Sequence, residues 1–292
     1  MDINYELYKV FFFVADTLSF SEASRRLYIS QSAVSQSIKT LEKKLGQPLF
    51  QRSTKRVQLT PAGQTLLKHI EPAMRLIERG ESQLLEGSSL GLEQLHIGAS
   101  DTICRYILVP YLQRFHEIYP DVPIKVTNAT SIRCVELLEQ QKVDLIFTNL
   151  PNPALKEDYR CREILRFTDV FIASPAHFPP MEGKMTLQEL TTLPLMMLDR
   201  RSATSDFLRQ FFLSRQLELL PEIELSSNDL LIDLARIGLG IAFVPDYCLR
   251  ENSEGLYALQ LQEQLPMRRV AAVVNPAAPV TRTTEAFLQL FD

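Results

Sequence analysis

The 292-residue chain has no tryptophan, four histidines and four cysteines. Cys104, Cys134, Cys161 and Cys248 stand far apart with no C-x-x-C pair, which argues against a zinc site and a thioredoxin-like redox motif. His69, His96, His116 and His177 are equally isolated. No HExxH and no phosphate loop GxxxxGK[ST] occurs, so the easily recognised metalloprotease and P-loop readings fall away. "GLGIAFVP" contains GxG but lacks a third glycine and runs into a strand, which reads as a tight turn. No metal and no cofactor is expected. No run of about 18 apolar residues appears, so no membrane span is expected. "MDINYELYKV" lacks the basic and apolar regions of a secretory signal. Few thiols and no visible export signal point to a reducing, cytoplasmic setting.

What is present is ordinary in bulk and uneven in layout. Hydrophobic residues make up 46% and charged residues 23%, as in globular proteins, and 292 residues suggest two or three domains. Residues 1–60 hold nine Lys/Arg and five Asp/Glu; the remainder holds 22 and 30. A basic head on an acidic body suggests that the head meets a polyanion.

Periodicity sharpens this. Leu7, Val10, Phe11 and Val14 fall on one helical face. Ser19 and Glu22 have capping-box spacing ahead of a second helix with Ala23 and Leu27 inward. "YIS" is a tight turn, Ser30 caps a third helix along Val34, Ile38, Leu41 and Leu45, and Gly46 stops it. Three helices with a short turn between the last two fit a helix-turn-helix. The outward face of the third carries Gln31, Ser32, Ser35, Gln36 and Lys39. Hydroxyls and amides there can meet phosphates or base edges; a solvated helix face is the alternative. "PLFQRSTKRVQLT" reads as a β-ribbon wing, with Arg52, Lys55 and Arg56 at its tip, suited to phosphates or a minor groove.

"FSEASRRLYISQSAVSQSIKTLEKKLGQPLFQRSTKRVQLTPAG" resembles the N-terminal domain of the LysR-type transcriptional regulators over about 45 ordered residues. The resemblance implies a winged helix-turn-helix that binds double-stranded DNA. Ser30, Gln31, Ser32, Ser35 and Gln36 then lie on the recognition helix and Arg52 at the DNA backbone. Gln36 stands where family members often carry Arg or Gln.

Thr60 and Pro61 open another helix in which Leu66, Ile70, Ala73, Ile77, Gly80 and Leu84 step by four and three. Such a seam suits pairing with a copy of itself; packing on its own body is the alternative. The resemblance implies a dimer through this linker, or a tetramer made of two such dimers, reading two halves of an imperfect palindrome. Pro72 interrupts the seam, so a kink or break is expected at "HIEPAM". "LEGSSLGLEQ" is a natural hinge.

From Leu95 strands and helices alternate, which implies α/β layers. Two similar lobes fit, with the last strand and helix returning to the first. This resembles the periplasmic-binding-protein-like effector domain of the same family. In such sheets ligands sit beyond the carboxyl ends of strands. Ser100, Asp101 and Thr102 follow the first strand; Asn128, Thr130 and Ser131 follow the second. Thr148 and Asn149 end the third, at an expected crossover, and Ser202, Thr204 and Ser205 open a helix of the second lobe. Hydroxyls at helix N-termini favour an anion, with Arg133, Arg200 and Arg201 as countercharges, although Asp101 opposes one at its own position.

The expected architecture is an all-α winged helix-turn-helix at 1–60, a linker helix at 61–88, and an α/β two-lobed effector-binding domain at 92–292. Lobe I takes about 92–163 plus 268–292, and lobe II about 164–267. The expected function is effector-controlled transcription regulation through promoter DNA, with RNA polymerase as a further partner and no catalysis. The competing class is a solute-binding or enzymatic two-lobed protein with an accessory DNA-binding head. No paired nucleophile and base supports the enzyme, and no export signal supports the solute-binding protein.

Overall fold

The computed structural model describes residues 3–52, 56–85, 94–180, 183–250 and 253–292. The chain divides into two units, Met1–Ser88 and Ser89–Asp292.

The first unit holds α1 (Tyr5–Thr17), α2 (Phe20–Leu27), α3 (Gln31–Leu45), β1 (Phe50–Arg52), β2 (Val57–Leu59) and α4 (Pro61–Leu85). Its core joins Phe11, Val14, Ala23, Val34, Ile38 and Leu41 to Phe50 of the ribbon. Ser19 caps α2 by accepting the Glu22 N–H at 3.2 Å. The other half of the expected box differs: the Ser19 N–H donates to Thr17 Oγ1, while Glu22 pairs with Arg25 at 2.6 Å. Tyr28 turns the chain at φ 54, and Gly46 ends α3 at φ 70.

Side chains fix the ribbon to the helices. Glu42 Oε1 accepts the N–H groups of Leu49 and Phe50 at 2.8 and 3.2 Å. Thr60 Oγ1 donates to the Pro48 carbonyl at 2.7 Å and accepts the Gly63 N–H at 3.0 Å, capping α4. A Cβ at position 63 would stand 2.2 Å from the Leu49 carbonyl oxygen, so the glycine of "LTPAG" allows helix and ribbon to touch.

α4 runs without a break through Pro72. Proline forfeits one intrahelical bond, at a cost of about 3 kcal/mol, and the turns on either side keep theirs. Twenty-five residues span about 37 Å. The seam divides in two. Leu66 and Ile70 pack on the core of the head itself, whereas Ala73 and Ile77 are exposed. The expected hinge lies almost wholly outside the described residues.

The second unit begins with β3 (Leu95–Ala99), α5 (Asp101–Ile103), a π turn (Cys104–Leu108) and α6 (Val109–Ile118). Then come β4 (Ile124–Asn128), α7 (Ser131–Glu139), β5 (Leu145–Leu150), β6 (Arg160–Phe167) and β7 (Asp169–Ala173). They are followed by α8 (Leu187–Leu190), β8 (Leu195–Leu198), α9 (Ala203–Leu213), β9 (Ile223–Leu225) and α10 (Asn228–Arg236). β10 (Ile241–Pro245), β11 (Tyr257–Ala258), β12 (Arg268–Val274) and α11 (Arg282–Leu288) complete it. Two five-stranded sheets form, ordered β4-β3-β5-β12-β6 in lobe I and β11-β7-β10-β8-β9 in lobe II. Each has two parallel and two antiparallel pairings, so that one strand, β12 in lobe I and β7 in lobe II, runs against the other four, and β12 returns the chain to lobe I.

The crossover differs from expectation. β5 does not lead out of lobe I, and a boundary at 163 would cut through β6. All of β6 pairs with β12, so the chain leaves lobe I at Thr168. β6 is an edge strand with Arg160, Arg162 and Arg166 on it, and those charges hid it from hydropathy. His96 points away from the buried Leu95 and Ile97, and its Nε2 meets Thr127 Oγ1 at 2.9 Å.

Candidate functional site

In the head, Gln31, Ser32, Gln36 and Lys39 are exposed along α3, with Ser35 half-buried beside them. The buried positions Val34, Ile38 and Leu41 hold the opposite face to the core, which fixes this outward presentation. Ser30 caps Ala33 at 3.2 Å and shares a hydrogen bond with Ser32 at 2.9 Å. Ser21 of α2 donates to Gln31 Oε1 at 3.2 Å, a positioning contact that sequence reading missed. Arg56 is exposed where β2 begins, and Arg52 ends β1. Lys55 lies outside the described residues. Arg25 and Arg26 are held by Glu22 and Asp16, which leaves less free charge on α2 than composition suggests.

In the second unit a cavity of about 90 Å³ opens between the lobes. Nine of the residues expected there line it: Ser100, Asp101, Thr102, Asn128, Thr130, Ser131, Asn149, Ser202 and Thr204. Two do not. Thr148 is fully buried and accepts from Asn152 Nδ2 at 2.9 Å; neighbours on a strand face opposite ways, so Asn149 takes the cleft. Ser205 is also fully buried, turned away one step along α9 from Thr204. None of the three expected arginines lines the cavity. Arg133 pairs with Glu136 on its own helix, Arg201 meets Asp199 at 3.5 Å, and Arg200 is exposed. Leu198, Ser226 and Asn228 line it unforeseen. The strand-to-helix rule applied to "EIELSSNDLL" would have found the last two.

The N-terminal ends of α5, α7, α9 and α10, two from each lobe, meet here, capped by Ser100, Thr130, Ser202 and Ser227. Six hydroxyls of the lining accept a hydrogen bond from a protein donor. Ser100 accepts from the Ile103 N–H, Thr130 from Arg133, Ser202 from Thr204 and Ser131 from Asn149. Thr102 accepts from Asn228 Nδ2 at 2.9 Å, and Thr204 from Arg268 Nη1 at 3.2 Å. Among the described residues none of the six passes its own proton to a protein acceptor. A hydroxyl has one proton to give, so this lining is set to donate. Together with four helix N-termini the six hydroxyls form a set of uncharged donors, beside the Asp101 carboxylate of the same lining.

The lobes meet around this cavity. Besides the Asn228–Thr102 bond, Tyr106 in the π turn donates to Asp229 Oδ1 at 2.5 Å, and Arg105 lies 3.6 Å from Oδ2. Behind the cavity, Asp169 opens β7 at one crossover and Arg268 opens β12 at the other. They form a fully buried ion pair at 2.8 Å. Burial pushes the Asp169 carboxyl up, against the pull of Arg268. Arg268 Nε and Nη2 have no hydrogen-bond partner, but the guanidinium lies 4.6 Å from the Phe207 ring and 5.3 Å from that of Phe167.

Residues 90–292 match the family model described as LysR substrate binding domain, and residues 5–64 match that of the bacterial regulatory helix-turn-helix protein, lysR family. The chain belongs to the LysR family. This LysR-type chain is 29% identical over 263 residues to the HTH-type transcriptional activator CmpR of Synechocystis sp., covering 90% of this chain and 86% of that one. Its fold is that of a full-length OxyR variant from Pseudomonas aeruginosa, with TM-score 0.73 at 19% identity over 100% of this chain and 95% of the other. Full-length CbnR complexed with its target DNA matches with TM-score 0.64 at 17% identity, over 99% of this chain and 100% of that chain. The LysR-type protein is therefore a DNA-binding transcription regulator with an effector-binding domain, not an enzyme. Among the described residues no helix is long and apolar enough to cross a membrane.

In this LysR-family chain Cys134 and Cys248 are buried, Cys104 is half-buried and Cys161 is exposed. Burial, then the Asp101 charge, pushes the Cys104 thiol up to about 11. Burial, then Cys104, pushes Cys134 up to about 12. Cys248 is shifted upward, mainly by burial, and so is Cys161. Protonated thiols are poor nucleophiles.

Proposed function

We propose that this regulator binds an imperfect palindrome in promoter DNA as a dimer and that a small anion in the inter-lobe cavity sets its activity. The carrying observation is the donor-programmed lining: six hydroxyls with their protons to give, at three helix N-termini with that of α10 beside them, and no basic side chain in the lining. Neutral donors hold an oxyanion without the desolvation cost of a buried cation. Residues Ser100, Thr102, Thr130, Ser131, Ser202 and Thr204 supply the donors. Because they come from both lobes, an anion binds best when the lobes are drawn together, and that difference in affinity shifts the population of conformations.

In the head, Ser30, Gln31, Ser32, Ser35, Gln36 and Lys39 face the major groove, and Arg52, Lys55 and Arg56 meet the backbone beside it. The exposed Ala73 and Ile77 on α4 support pairing with a second copy through the carboxyl half of the linker. Dimers then associate into tetramers through the effector domains. The regulator works in the cytoplasm, where a change in the spacing of its heads alters DNA bending and the recruitment of RNA polymerase.

The test is selection of random duplex DNA by the full-length protein, read by sequencing, followed by titration of the enriched site with small carboxylates and phosphate. A two-fold symmetric motif whose binding or footprint changes with one of those anions is the expected result. No enrichment at low salt by folded protein, with or without the anions, would remove sequence-specific reading. A motif indifferent to every anion would remove the effector reading.

A further inference from the structure

The cavity is not lined by donors alone. Asn149 and Asn228 both line it, at 7% and 4% exposure, and the Oδ1 atom of each is buried with no hydrogen-bond partner. A buried amide oxygen left without a donor is costly, so two in one small cavity call for a reason. Their positions are not accidental slack. Asn228 is held by its Nδ2, which donates to Thr102 Oγ1, and Asn149 by its backbone N–H, which donates to Ser131 Oγ. The bond that makes Thr102 a donor therefore leaves Asn228 Oδ1 as the unmatched acceptor of its amide, and Asn149 Oδ1 is a second such acceptor. Asp101 adds a third acceptor to the lining, and Asn128 Nδ2 steadies its Oδ1 at 3.3 Å.

A simple carboxylate such as acetate satisfies the hydroxyls and helix ends but gives nothing to these acceptors, and any simple oxyanion meets the Asp101 charge with a like charge. A cation alone does the reverse. One ligand answers both halves: a carboxylate joined by a short bridge to an ammonium, whose three N–H donors match the three acceptors in number. The cavity of about 90 Å³ is small beside the roughly 300–1,000 Å³ of drug-sized ligand sites, which limits the bridge and any side chain to a few atoms.

We propose that the effector is a short zwitterionic amino acid, with its carboxylate on the hydroxyls and helix N-termini and its ammonium on Asp101, Asn149 and Asn228. This rests on the anion-binding reading of the cavity given above. It also removes the conflict that the sequence raised, because Asp101 opposes an anion yet suits a zwitterion.

The experiment is calorimetric titration of the full-length protein with glycine, L-alanine and L-serine, against matched probes that each lack one group. Propionate and phosphate lack the ammonium, ethylamine lacks the carboxylate, and lactate carries a hydroxyl in place of the amine. The expected result is that at least one amino acid binds tenfold or more tightly than propionate and lactate, with no detectable binding of ethylamine. Asp101→Asn, an exposed position, should cut that preference to about twofold while propionate binding holds or strengthens. Propionate, phosphate or lactate binding as tightly as the amino acids would overturn the zwitterion and leave the anion site standing. An unchanged preference in D101N would overturn the role of Asp101 and with it the charge argument. Failure of every acid to bind, amino or not, would overturn both readings.

Discussion

The head and the inter-lobe cavity are both read as sites for negative charge, and they are built in opposite ways. On the head, polar and cationic groups such as Gln36, Lys39 and Arg56 stand in solvent on a face that the core leaves free. In the cavity no basic side chain is present, and fixed neutral dipoles do the work behind a partly closed wall. Arg268, behind the cavity, is buried and paired with Asp169, and it donates to Thr204 Oγ1 in the lining. The contrast follows from the ligands. A DNA backbone is a long row of charges that stays hydrated, so mobile cations that release counterions suffice. A small effector must be recognised by shape in a confined space, where an unpaired cation would be costly and fixed dipoles are not.

The most forceful way to break this contrast is at the hinge. Asp169→Leu leaves Arg268 charged, buried and unpaired, and should destabilise the effector domain by about 3–5 kcal/mol. Urea unfolding would show this, and a loss under 1 kcal/mol would mean that the pair does not hold the lobes. Salt sharpens the contrast next. With four to six phosphate contacts, non-specific DNA affinity should fall about 10²–10³-fold between 50 and 200 mM salt. Binding of a zwitterion or anion to neutral donors should change by less than about twofold over the same range, measured by calorimetry. Equal slopes would mean that a cation reaches the effector.

Within the head, Gln36→Ala should cost about 1–3 kcal/mol of discrimination between specific and random DNA with little change in the latter. Arg52→Ala should weaken both about equally and lower the salt slope by about one phosphate. Equal losses on the two DNAs for Gln36→Ala would make it a backbone contact. The smallest effect is expected at a cap. Ser202→Ala should cost about 1 kcal/mol of stability, seen in thermal unfolding, and weaken effector binding as well. A stability loss with unchanged effector affinity would make Ser202 a cap and no more.

The two regions also differed in how far the sequence disclosed them. In the head, each signal is local. Ser30 and Thr60 mark helix starts by caps to the N–H three residues on, Pro61 and Gly46 mark helix ends by backbone conformation, and the stripe of Val34, Ile38 and Leu41 needs only helical periodicity to be read. In the effector domain, strands followed by small polar residues were legible, and nine of the eleven residues named from that pattern line one cavity. Thr148 and Ser205 were misjudged because the pattern marks a neighbourhood and not a direction. Adjacent residues on a strand point oppositely, and adjacent residues on a helix lie about 100° apart. The arginines were misjudged because charge in the sequence does not say which carboxylate takes it; Arg133 and Arg201 each find one within three residues. β6 was missed because an edge strand carries charges on the face that solvent wets.

The sequence by itself determined the three-helix head with its wing, the long linker helix and the alternation of strands and helices. These rest on caps, turns and apolar periods that are set over a few residues. Only the tertiary structure decided that Pro72 sits inside an unbroken helix, that the chain crosses between lobes at Thr168, and that Asp169 pairs with Arg268 from 99 positions away. It also decided the orientation of the cavity hydroxyls. For Thr102, Ser131 and Thr204 it depends on a donor brought from elsewhere in the fold, as Asn228 is brought to Thr102 across 126 positions. A hydroxyl can give or accept a hydrogen bond, and only its folded neighbours settle which.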